Sequence, residues 1–152
     1  MEIEEKLNAK QIRSGCPIAT SLDLVGDKWS LLVVRDLFLG RYTFTTIIKN
    51  NPERIATNIL ADRLKKLVSL KIIGFSQHAT SKKVKQYYLT DLGVSLYPIL
   101  YDLLKWSSDH FDFELHPIAA EFMSDVKNKS REEIIDKYSS NYTSMRLELF
   151  GI

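Results

Sequence analysis

The chain has 152 residues, 45% of them hydrophobic and 26% charged, and a net charge of +2; this is the make-up of one globular domain, or of one domain with an appendage. No apolar run approaches the roughly 20 residues that a bilayer-spanning helix needs, and residues 1–13 lack the apolar core of a secretion signal, so a cytoplasmic protein with no membrane partner is expected. The single cysteine, Cys16, excludes an internal disulfide framework, although two chains could still pair through it.

Residues 18–25 and 28–39 are strongly apolar and free of internal breakers, and Asp27-Lys28-Trp29 separates them, so they are expected to be two packed helices. Trp29, Leu32, Val33 and Leu37 recur at helical spacing and are assigned to the core. A short helix is expected over residues 43–50, with Phe44, Ile47 and Ile48 turned inward. Asn50-Asn51-Pro52-Glu53 then forms a turn, because asparagine favours turn geometry and the residue before proline resists helix. Residues 56–70 make an amphipathic helix: Leu60, Leu64 and Leu67 form the buried stripe, while Asn58, Asp62, Lys65, Lys66 and Ser69 lie opposite, with Arg63 on the shoulder. Short helix, tight turn and longer helix with a polar outer face together read as a helix–turn–helix.

Two strands are expected next, at 72–77 and 86–89, joined by a polar basic loop over 78–85. A hairpin directly after such a helix is a wing. Thr90 is a plausible N-cap for one long helix reaching about Phe111, whose broad apolar face (Leu92, Leu96, Leu100, Leu103, Leu104, Trp106) exceeds what a lone surface helix needs. Pro117 opens a further helix, and Ser130-Arg131-Glu132-Glu133 is a capping box that starts a last one. The fold class is therefore mainly α with a small β-hairpin wing. Residues 1–111 are expected to form a dimeric winged helix–turn–helix domain, and 112–152 a helical C-terminal extension.

Charge is concentrated on this frame. Residues 54–85 hold Arg54, Arg63, Lys65, Lys66, Lys71, Lys82, Lys83 and Lys85 against one acid, Asp62, so this segment carries +7 and the remainder −5. Lysines often only solvate an exposed helix face, but a helix and hairpin so charged are also the footprint of a polyanion, with double-stranded DNA the foremost candidate.

From Cys16 to about Phe111 the chain resembles the HxlR-type winged helix–turn–helix transcriptional regulators of bacteria, a MarR-like family. The likeness is carried by Cys16-Pro17-Ile18 with Gly26-Asp27-Lys28-Trp29, by Phe44, and by Ile55 through Leu67. It continues in Tyr88-Leu89-Thr90-Asp91-Leu92-Gly93, followed by Leu96, Pro98, Leu100, Trp106 and His110. The resemblance implies a homodimer on a pseudo-palindromic operator near a promoter, usually a repressor and sometimes an activator. Two departures stand out: the wing is shorter than the proline-containing wing of many members, and residues 112–152 lie outside the common core.

A helix of this diameter fits the major groove with its N-terminal half toward base edges. That half offers Thr57, Asn58, Asp62 and Arg63. Asparagine can read adenine and arginine guanine, each worth about 1–3 kcal/mol of discrimination. Asp62 either accepts from cytosine or, the favoured reading, pairs with Lys66 or an arginine. Lys65 and Lys66 suit phosphates, and Lys82, Lys83 and Lys85 on the wing would follow the backbone or minor groove. Thr45 and Thr46 either present hydroxyl and N–H groups to a phosphate or merely cap their helix. Leu96, Leu100, Leu103 and Trp106, with the N-terminal segment, are the expected dimer interface. The extension either enlarges that interface, the plainer option, or covers a pocket.

Some relatives sense oxidants or electrophiles through a cysteine at the position of Cys16, so the resemblance admits a small-molecule or oxidant effector. Sensing asks for an exposed thiolate, which a helix start and the nearby Arg13 favour; a small buried apolar residue is the alternative. His78, His110 and His116 are too isolated for a metal set, and no phosphate loop, nucleophile elbow or carboxylate pair is present. No catalytic residue, cofactor or metal is expected. A winged helix that docks proteins without DNA is the contrasting reading, against which the basic block argues.

Overall fold

The computed structural model describes residues 13–152; the N-terminal segment expected to join the dimer interface lies largely outside the described residues. The elements run α1 (Pro17–Val25), α2 (Ser30–Phe38), α3 (Phe44–Asn50), α4 (Thr57–Ser69), β1 (Ile73–His78), β2 (Ser81–Leu89), α5 (Asp91–Val94), α6 (Tyr97–His110), α7 (Pro117–Asn128) and α8 (Arg131–Phe150). This is a winged helix–turn–helix with added C-terminal helices. Pro17 stands at the first position of α1, where a missing N–H costs no helical bond. The main core gathers Val33, Val34 and Leu37 of α2, Ile47 of α3, Leu60, Leu64 and Leu67 of α4, and Leu89 of β2. Each such side chain, fully withdrawn from water, contributes about 1.5–3 kcal/mol. Leu32, assigned to the core above, is only partly buried.

The turn between α3 and α4 is fixed by a buried ionic group. Asp36, fully enclosed on α2, accepts from Arg35 Nη2 at 2.9 Å, Arg41 Nη1 at 2.8 Å and Asn51 Nδ2 at 3.0 Å. Asn51 returns its side-chain oxygen to the Ile55 N–H at 3.2 Å, and Arg35 grips both oxygens of Glu53 at 2.7 and 2.8 Å. Burying an unpaired carboxylate would cost several kcal/mol; donors from three residues offset that, and in doing so they tie α2 to the turn that aims α4. The far end of α4 closes in a Schellman motif: Ile72 N–H reaches Leu67 O at 3.0 Å and Lys71, at φ 57°, reaches Val68 O at 3.0 Å.

The wing differs from the sequence expectation. β2 starts at Ser81, so most of the segment expected as loop is strand. The ladder is regular from Ile73↔Leu89 to Gln77↔Lys85 and then jumps to His78↔Ser81, which throws Lys82, Lys83 and Val84 out of register at the tip. Tyr87 N–H also bonds Tyr42 O at 2.7 Å and Thr43 bridges Gln86, so the segment leading into α3 is stitched to the wing.

The long helix expected from Thr90 is two helices. Thr90 does cap, accepting from Gly93 N–H, but α5 ends at Val94 and α6 begins at Tyr97. Pro98 is the cause: it has no N–H to give Val94, and its ring crowds that carbonyl. Within α5, Gly93 lets the helix pack close to the chain entering β1, since an added Cβ would stand 2.2 Å from Ile72 O. His116 caps α7 and Ser130 forms the expected reciprocal box with Glu133.

α8 lies against the winged core. Tyr142 is buried in the main cluster and its hydroxyl accepts the Leu89 N–H at 2.7 Å, while Arg146 Nη1 donates to Leu89 O at 2.8 Å and Nη2 to Asp91 at 2.6 Å. Tyr42 donates to Met145 Sδ at 2.8 Å, and Phe150 sits edge-on to Tyr42 and tilted against Tyr88. A second cluster, Tyr97, Tyr101, Val126 and Ile134, joins α6, α7 and α8.

Candidate nucleic-acid interface

With Leu60, Leu64 and Leu67 buried, helical spacing turns Asn58, Asp62, Lys65 and Ser69 to the opposite side, and all four are exposed. Thr57 is exposed at the first turn, where Ala56 supplies no capping side chain. Lys82, Lys83 and Lys85 are exposed on the wing, Lys85 lying over the Phe75 ring at 4.4 Å. Exposed cations therefore mark the outer faces of α4 and of the hairpin.

Arg63 and Lys66 are placed differently. Their side chains are only 22% and 30% exposed, and both reach Asp27 Oδ2 at 3.4 Å. Arg63 Nη2 turns to Asp62 at 3.1 Å, so the arginine is the residue that Asp62 pairs with, and Lys66 is held elsewhere. Asp27 sits in the α1–α2 turn and accepts from Trp29 N–H and Ser30 N–H, both at 3.0 Å, and from Ser30 Oγ at 2.5 Å. Partial burial pushes its carboxyl up, but the Ser30 hydroxyl, the two N–H groups and the Arg63 charge outweigh that and hold it down at about 2. From the sequence, Asp27 is a separator of two helices and part of the family signature, with no partner assigned to it. Its Asp-x-x-Ser spacing signals local capping, but nothing local signals a partner 39 residues away.

Thr46 is consumed by its own helix: Thr43 and Thr46 form a reciprocal capping box, with the Thr46 hydroxyl 3.0 Å from the Thr43 N–H. Thr45 remains exposed. Of the expected interface residues, Leu96 and Leu100 pack against the main core, whereas Leu103 and Trp106 are 50% and 58% exposed. Ile99 shares their stripe, and Ile18 and Leu22 are exposed on α1. Cys16 is exposed at the cap position of α1. Among the described residues no group of three or more metal-ligating side chains gathers, and no helix is long and apolar enough to cross a membrane.

Comparison with known proteins places this geometry. A model of the HxlR-like helix-turn-helix matches residues 24–114. An uncharacterized HTH-type transcriptional regulator of Mycobacterium tuberculosis, MT3179, is 28% identical over 96 residues, which are 63% of this chain; the chain spans 60% of that relative's length. A similar regulator of Synechocystis, sll1512, is 32% identical over 65% of this chain and 73% of its own. Among solved structures, PA1607, a proposed transcription factor, superposes with a TM-score of 0.61 at 38% identity, covering 68% of this chain and 72% of its own. The reduced form of the transcriptional regulator YodB from B. subtilis superposes at 0.54 with 27% identity, covering 65% and 97%.

Proposed function

Because the chain belongs to the HxlR-like helix–turn–helix family of transcriptional regulators, we propose that it binds a pseudo-palindromic DNA operator as a homodimer and represses transcription there. The observation that carries this is the outward side of α4, exposed at Thr57, Asn58 and Lys65, followed in the chain by a wing whose tip extrudes Lys82 and Lys83. The helix supplies groups that fit the major groove, and the lysines supply the phosphate neutralisation that gives affinity. Thr45 and the first turn of α4 are proposed to meet phosphates, and Thr46 is proposed to act only through its cap.

A second copy accounts for the stripe Ile99, Leu103 and Trp106 on α6, together with Ile18 and Leu22 on α1, all of which one chain leaves in water. Residues 112–152 are proposed as an extension that steadies the DNA-binding core through Tyr142 and Arg146. The test is a gel-shift titration against duplexes selected from a random pool, repeated across salt, with light scattering for oligomeric state. A saturable complex whose affinity falls steeply with salt, and a dimer that Leu103→Glu converts to monomer, are expected. Elution from heparin at low salt with no duplex selected favours a protein-docking module and removes the reading.

Cys16 supports regulation by an oxidant or electrophile, because its thiol is exposed where α1 begins, two residues before Ile18 of the exposed apolar stripe. Mass spectrometry after mild diamide, paired with a DNA titration, tests this. An unmodified Cys16 or an unchanged affinity removes the switch.

A further inference from the structure

We infer that Asp62 is a specificity-determining residue whose carboxylate, oriented by Arg63 and Asp27, accepts from the exocyclic amine of a cytosine once in each half-site. This rests on the DNA-binding reading above and names the base that reading leaves open. Asp62 is the one acid among residues 54–85, and it lies centrally on the outer side of α4, between Asn58 and Lys65, with its side chain 65% exposed. Arg63 takes only Asp62 Oδ2, and a second carboxylate oxygen aimed at a polyanion is unfavourable unless it too meets a donor. In the major groove only cytosine N4 and adenine N6 present one. Adenine sets its N7 acceptor beside N6, which repels a second carboxylate oxygen; guanine and thymine present acceptors at the same edge. Cytosine is the base that remains.

The surroundings of Asp62 fix its direction. Arg63 Nη2 holds Asp62 Oδ2 at 3.1 Å, and Arg63 is itself drawn back by Asp27 at 3.4 Å, with its Nε buried and without a hydrogen-bond partner. Asp27 in turn is locked by the Trp29 and Ser30 N–H groups and the Ser30 hydroxyl. A guanidinium clasped between two carboxylates and largely covered is poorly placed to reach a guanine. Arg63 is thus a positioning residue, in place of the base reader expected from its type alone. A plain surface ion pair would need neither the anchor on Asp27 nor a place for Asp62 at the centre of the face.

The experiment uses the full chain and a duplex it selects from a random pool, then competes single-base-pair variants of that duplex. The wild type is expected to prefer cytosine at one position per half-site by about 5- to 100-fold, the range of one good base contact. Asp62→Ala reduces that preference to within about 2-fold while binding unselected DNA as tightly or more tightly, since an anion has left the phosphate-facing surface. Asp62→Asn moves the preference toward adenine, because an amide offers both a donor and an acceptor. Arg63→Lys and Asp27→Asn weaken the cytosine preference at that one position and leave the salt slope within about half a unit of the wild type; a merely structural role would shift every position together. Selected duplexes with no cytosine preference, or a preference that Asp62→Ala retains, overturn this inference alone. A chain that selects no duplex overturns the DNA-binding reading as well.

Discussion

Tyr142→Phe isolates one bond between the C-terminal extension and the winged core. The ring of Tyr142 packs edge-on against Phe38 at 5.1 Å, and phenylalanine keeps that packing, so the substitution removes only the hydroxyl that takes the Leu89 N–H at 2.7 Å. Burial pushes the phenol up to about 12 against the smaller lowering effect of that N–H, so the group is neutral throughout an ordinary assay. Leu89 is fully buried at the end of β2, and its orphaned N–H has no route to water. Leaving a buried donor unpaired costs about 1–3 kcal/mol. At a urea slope of about 2 kcal/mol/M, a loss of about 2 kcal/mol lowers the unfolding midpoint by roughly 1 M. Tyr138→Phe is the control, since its hydroxyl reaches the partly solvated Asp125 at 3.1 Å, and a change below about 0.5 kcal/mol is expected. The assay is urea unfolding followed by tyrosine fluorescence and far-UV dichroism together. A Tyr142→Phe midpoint within about 0.2 M of wild type, or two separate transitions with the extension melting first, refutes the view that α8 belongs to the cooperative core.

Asp27→Asn should flatten the acid limb of the stability curve. The Asp27 carboxyl stands near 2 when folded against an ordinary 3.8, so its contribution is complete above about pH 4 and is lost as pH falls through 2; screened at a partly exposed site it amounts to about 1 kcal/mol, read from urea midpoints at pH 2, 3, 4 and 7. Lys71→Gly should raise stability by roughly 0.5–1 kcal/mol, because Lys71 holds φ at 57° in the Schellman turn and glycine adopts that region without strain; thermal unfolding measures it. Lys83→Ala should weaken every duplex alike and reduce the slope of log affinity against log salt by about 1 per subunit in contact. Gel-shift titrations at four salt concentrations decide it, and a base-selective loss would contradict a backbone role.

The helix–turn–helix was legible because its determinants are local. Leu60, Leu64 and Leu67 declare one buried stripe, and Asn51-Pro52 declares the turn. Thr90, Pro117 and Ser130 each announce a helix start through their own chemistry. Pro98 carried the information for the break after α5, but the continuous leucine pattern around it outweighed that signal in the reading. The length of β2 was hidden by its lysines, which have low strand preference: Lys85 pairs with Gln77 and Ser81 with His78, while Lys82 and Lys83 lie in the irregularity between those pairs. Least legible were the contacts that join distant segments. Asp27 to Arg63, Tyr142 to the Leu89 N–H and Arg146 to the Leu89 carbonyl depend on how helices are stacked, and no local periodicity encodes that. Consequently residue type assigns Arg63 to a base contact without the ion pairs to Asp27 and Asp62 that the structure gives it.

These long contacts join the wing, α3 and α8. Both polar groups of the Leu89 peptide are taken by α8, which fixes the root of β2. Two residues up the strand, Tyr87 N–H bonds Tyr42 O, while the Tyr42 hydroxyl reaches back to Met145 of α8. Tyr42 directly precedes the cap of α3, and α3 packs on α4 through Ile47. α8 is thus bonded both to the root of the wing and, through Tyr42, to the segment that leads into α3. Base readout tolerates errors of well under an ångström in the placement of a hydrogen-bonding side chain, since such bonds weaken steeply away from their preferred distance and angle. An extension remote from the proposed reading face thus restrains Leu89 and Tyr42, on which the placement of the wing and of α3 depends.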